Sequence, residues 1–131
     1  PFLVGNGGGF SGDRVDAPVP VVRTLVKRGL PAALFFETLG ERTVALAQLE
    51  RRREPSLGYE PMLEPLLEPV LADCFRQRIP ILGNYGAANP PAAAALVARL
   101  ALRLGLPGLR IGLGTGDDVS ASIALDQLPV H

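Results

Sequence analysis

Four short segments carry the residue types that could do chemistry. They are GNGGGFSGDR (5–14), ETLGERT (37–43), GNYGAANPP (83–91) and GTGDDVS (114–120). In the first, Gly7, Gly8 and Gly9 can offer backbone N–H groups and positive φ to an anion such as a phosphate, or to a thioester oxygen. The run matches no single glycine motif: no Lys-Ser/Thr follows, the sixth-position glycine of a dinucleotide loop is missing, and Asp13 stands where a nucleophile elbow needs glycine. Ser11 is better suited to donating a hydrogen bond or capping a helix than to nucleophilic attack, because the only histidine is His131. Asp13 and Arg14 can pair with each other or with neighbouring turns, and Arg14 can offer charge to a phosphate or carboxylate.

Glu37 ends an apolar run. A carboxylate there is either paired, with Arg14 or Arg42, or raised in pKa and suited to acid/base work. Asn84 can position a ligand through its amide. Asn89 precedes Pro90 and Pro91 and suits a helix cap as well as a ligand contact. Asp117 and Asp118 can hold Mg²⁺ by oxygen ligation, bind ribose hydroxyls, or sit in a solvated loop. Cys74 reads as a small core residue.

These turns need elements to position them. Each follows a compact apolar run: FLVG (2–5), AALFF (32–36), IPIL (79–82) and LRIGL (109–113). Such runs suit strands buried on both faces. Helical segments lie between them, at 17–29, 40–54 and 90–105, with Gly29 and Gly105 as stops and proline at the start of the last. Val44, Leu46, Ala47 and Leu49 fall near one side of the second. The stretch 60–78 repeats Glu-Pro-x-Leu, and Pro65 and Pro69 would each cost a helix interior about 3 kcal/mol. The spacing therefore predicts a helix from about Pro69 to Arg78 with an irregular approach. Strands alternating with helices predict an α/β fold: a parallel sheet of about four strands with intervening helices, half of a Rossmann-like sheet or part of a barrel. All four turns then share the carboxyl edge, where open α/β sheets and α/β barrels bind ligands.

Bulk properties narrow the function. The 131 residues suffice for one domain, 1–131, and 13 basic residues balance 13 acidic ones, giving no electrostatic case for a nucleic-acid or anionic-membrane partner. One cysteine and one histidine argue against a disulfide framework and a structural zinc site, and fit a cytoplasmic, reducing compartment. No run of about 18 apolar residues suggests a membrane span. The chain begins with Pro1 inside a strand-like run, as expected of part of a longer sequence.

The segments GGGFSGDR, ETLGERTVALAQL, NYGAANP and GDDV, in this order and spacing over about residues 2–119, resemble the N-terminal domain of the acyclic terpene utilisation family, the AtuA-like proteins. Family proteins are several times longer. The resemblance implies a role in catabolism of citronellol- or geraniol-type terpenes through branched acyl-CoA intermediates. It implies a CoA thioester substrate at the carboxyl edge, with Glu37 as acid/base and Arg14 beside it. The alternative is a non-enzymatic partner-binding or assembly module, with a partner or second copy covering the sheet edge.

Overall fold

The computed structural model describes residues 1–9, 14–119 and 122–123. Three parallel strands form one sheet in the order β1 (Leu3–Asn6), β2 (Ala32–Phe36), β3 (Ile81–Gly83). Leu3 is level with Ala32, and Leu34 with Ile81. Four helices accompany them: α1 (Pro18–Arg28), α2 (Glu41–Arg53), α3 (Leu63–Arg76) and α4 (Pro90–Arg103). The fold is thus α/β with a parallel sheet, as the alternation of runs implies. None of the described helices is long and apolar enough to cross a membrane.

Local signals set most boundaries. Gly29 closes α1 at φ 61°, donating to the carbonyls of Leu25 and Val26, a left-handed stop that glycine adopts without steric cost. Pro90 opens α4 just after its cap, Asn89. The Thr43 hydroxyl accepts from the Gly40 amide at 2.7 Å and steadies the start of α2.

One face of the sheet meets the core. Leu34 and Phe36 are fully buried there with Val22 and Leu25 of α1, Leu67 and Val70 of α3, and Leu100 of α4. Helix α1 lies so close to β1 that a Cβ on Gly5 would strike Val21 and Leu25. The other face carries Val4, Phe35 and Leu82, all exposed, Val4 to 71%. Helix α2 is peripheral: Ala47 is its one buried residue, and Leu46 and Leu49 face solvent, so the apolar side expected there is mostly uncovered.

Two expectations change. Helix α3 starts at Leu63, six residues before Pro69. Pro65 falls in its first turn, where backbone N–H groups have no helical partner, and the first helical bond runs from Leu66 to Met62. Only Pro69 removes an interior bond, and burial of Leu63, Leu66, Leu67, Val70, Leu71 and Cys74 offsets that loss. Burial also pushes the Cys74 thiol up to about 11, in keeping with a core residue. The second change is at 109–113, which joins no strand. Gly112 and Gly114 give a strand nothing to pack and leave more backbone freedom to lose.

Candidate functional site

The ends of β1 and β2 are stitched together by backbone. Gly7 donates to the Phe35 carbonyl at 2.8 Å and Gly9 to the Glu37 carbonyl at 2.6 Å. Between them, Gly8 donates to the Asn6 side-chain oxygen at 3.0 Å. All three N–H groups therefore have partners within the chain. The glycines serve close approach. A Cβ on Gly8 would fall on the Glu37 amide, one on Gly7 would press on the Phe36 ring and Pro18, and Gly9 sits at φ 87°.

Asn84, just past β3, links the strand ends. Its amide nitrogen donates to Glu37 Oε1 at 2.9 Å. Its oxygen accepts from the Thr38 backbone at 2.9 Å and the Thr38 hydroxyl at 3.4 Å. Glu37 Oε1 also accepts from the Leu39 amide at 2.9 Å. The Asn84 amide, then the Leu39 N–H, hold the Glu37 carboxyl below its ordinary range. Of the two sequence alternatives for Glu37, the raised pKa is not realised. The partners of Glu37 are the Asn84 amide and the Leu39 N–H rather than an arginine. Exposed and ionised, Glu37 can act as a base or a fixed negative charge at neutral pH.

Arg14 bonds a near neighbour in sequence. It donates to Asp16 at 2.8 and 3.3 Å in an exposed pair. Asn89 is buried, and its groups serve the fold. Its oxygen accepts from the Ala92 amide at 3.3 Å, and its nitrogen donates to the carbonyls of Pro55 and Leu57 at 2.9 and 2.7 Å. Asn89 is thus the N-cap of α4, one of the two roles its position before Pro90 suits. Asp117 and Asp118 part company: Asp117 borders a groove, whereas Asp118 meets Arg51 at 3.5 Å, and Arg51 also donates to the Ala88 carbonyl at 2.6 Å. Among the described residues, no three His, Cys, Asp or Glu side chains group to hold a metal ion. Ser11 and Asp13 lie outside the described residues.

The groove has a volume of about 1190 Å³ and runs beside β3. Leu67, Leu71, Val97, Ile81 and Leu82 line it on the sheet-and-helix side, and residues 108–115 on the other. Asn84, Tyr85, Thr115 and Asp117 are among its polar members. Asn84 and Asp117 line the groove, Glu37 reaches it through Asn84, and Arg14 is not among its lining residues.

Sequence reasoning passed over three groove or rim residues. Tyr85 stacks edge-on to Phe36, ring centres 6.2 Å apart, with its phenol pushed up by burial. It sits inside a segment read only for its asparagines. Arg78 and Arg110 both border the groove, and Arg78 adopts φ 54°. No local signal marks an arginine for that conformation.

No curated protein and no solved structure matches the chain. The model of a family described as acyclic terpene utilisation family protein AtuA matches residues 2–129, nearly all of the sequence. That match covers the chain almost end to end, and the chain belongs to the acyclic terpene utilisation (AtuA) family.

Proposed function

We propose that the groove beside β3 takes the branched acyl chain of an acyl-CoA intermediate in acyclic terpene catabolism. The Asn84–Glu37 pair would meet the polar end of that chain. The observation that carries this reading is the groove itself: an opening of about 1190 Å³ with leucine, isoleucine and valine walls, and a fixed amide at the carboxyl edge. Ligand pockets of about 300–1,000 Å³ with mostly apolar walls and few polar groups are usual for small molecules. Family membership supports the terpene context. Within this reading Asn84 orients substrate, and Glu37, ionised, accepts a proton or stabilises positive charge. Asp117 is the second acid at the rim.

Thermal-shift titration with citronellol, free CoA and a branched acyl-CoA tests it. The acyl-CoA should raise Tm more than free CoA does, by the equivalent of about 2–3 kcal/mol at a hundredfold excess over Kd. A Tm unmoved by millimolar acyl-CoA would sink the reading.

A second reading is a partner-binding module. The exposed sheet face of Val4, Phe35 and Leu82 favours it, because parallel sheets are ordinarily covered on both faces. Sedimentation of the chain alone tests for self-association. A monomer whose Val4→Ser variant behaves identically counts against self-association through this face.

A further inference from the structure

Residues 109–113 have a strand's pattern and lie along a strand edge without pairing to it. Strand β3 pairs with β2 on one side, and no described strand occupies its other side. That side opens on the groove, whose far wall is residues 108–115. The connection between them has the form of a crossover. Helix α4 leads away from β3, Gly105 turns the chain at φ 65°, Leu106 is buried, and Gly108 turns it again at φ 82°. A strand–helix–strand unit of this kind delivers its second strand parallel to the first.

Alternation gives the segment two faces. Leu109, Ile111 and Leu113 would share one, and Arg110 and Gly112 the other. Parallel to β3, the apolar set would turn toward Leu67, Leu71 and Val97, which already line the groove. Ile111 and Leu113 are instead 39% and 51% exposed. Gly112 and Gly114 keep the paired state shallow. An apolar strand-former and an open strand edge that border one groove have two arrangements available.

We propose that residues 109–113 switch between the irregular wall seen here and a fourth parallel strand on β3, with Ile111 and Leu113 filling the groove when paired. An acyl chain would occupy the same space, so ligand and strand exclude one another. This last step rests on the acyl-chain reading; the switch itself does not.

Hydrogen exchange on the unaltered chain is the primary test. The amides of 110–113 should exchange at least about tenfold more slowly than a free peptide, reflecting transient pairing. A branched acyl-CoA at saturating concentration should return them toward the peptide rate. A second readout uses the exposed pairs Leu82→Cys with Arg110→Cys and Leu82→Cys with Gly112→Cys, which bracket two registers. Adjacent strands lie about 4.8 Å apart, within disulfide reach, so one pair should oxidise readily. Cys74, 1% exposed, stays out of the exchange. Free-peptide exchange at 110–113 without ligand overturns the switch, whatever the cysteines do. Protection that the branched acyl-CoA leaves unchanged upholds the switch and fails the acyl-chain reading.

Discussion

Where β1 and β2 end, the chain is closed on itself. The amides of Gly7 and Gly9 bond the carbonyls of Phe35 and Glu37, and the side chains of Asn84, Glu37 and Thr38 bond one another. Where β3 ends, the chain is open. Leu82 is exposed, the strand edge has no described partner, and residues 108–115 stand across a groove from it. Both regions carry glycines at strand ends, and among the described residues the large groove lies at the second. Glycine at such a position reports that backbone comes close to something. The structure shows that at β1 the something is the neighbouring strand.

That contrast can be broken by substitution. Gly8→Ala should have the largest effect, because its Cβ would meet the backbone of Glu37 and Phe36 rather than a movable side chain. A loss of about 3 kcal/mol, or roughly 10 °C in Tm, is expected. A change under about 0.5 kcal/mol would mean that this end is as loose as the other. Asn84→Ala comes next. It strips the acceptor from the buried Thr38 amide, for a loss of about 1–2 kcal/mol by chemical denaturation. It should also let the Glu37 carboxyl titrate closer to its ordinary value, which NMR would read.

Glu37→Gln has a smaller effect with a pH signature. The folded carboxyl sits below its ordinary value of 4.5. Its stabilising contribution is therefore complete above that value and lost as pH falls through the lower, folded one. The Tm gap between the two proteins should be present at neutral pH and close in acid. A gap constant down to the acid limit would show that the bonds to Asn84 and Leu39 do not depend on the charge. Ile111→Ser should matter least, within about 0.5 kcal/mol, since the side chain is substantially exposed. A larger loss would mean that the strand-paired state dominates in solution, and would sharpen the account of the groove.

The parts of the fold legible in sequence are those governed by local chemistry. Gly29, Asn89 with Pro90, and the apolar run AALFF each act within a turn or a strand of themselves, and α1, α4 and β2 follow. The start of α3 was not legible, because the tolerance of Pro65 depends on where the first turn falls, and buried leucines on the same helix decide that. The site divides in the same way. Asn84 and Glu37 stand out as polar residues at strand ends. Their mutual bond, and the depressed carboxyl it produces, comes from residues 47 apart in sequence. Asn89 and the three glycines look alike in sequence as polar or flexible turn residues, and the hydrogen bonds they make within the chain come from partners that no local pattern marks.

The Asn84 clasp has a consequence for the order of folding. Every strand pair in this sheet is distant in sequence: Leu3 pairs with Ala32, and Leu34 with Ile81. Helices α1 and α3 can begin to form from local contacts, but the clasp must wait until α2 and α3 have brought β3 back beside β2. Contacts that close long loops are slow to form. The Asn84–Glu37 bond should therefore assemble after the rate-limiting step. Its loss would then quicken unfolding and leave the folding rate nearly untouched. A polar bond at the rim of the groove would act as a latch on the lifetime of the folded chain, with little influence on how fast that chain is made.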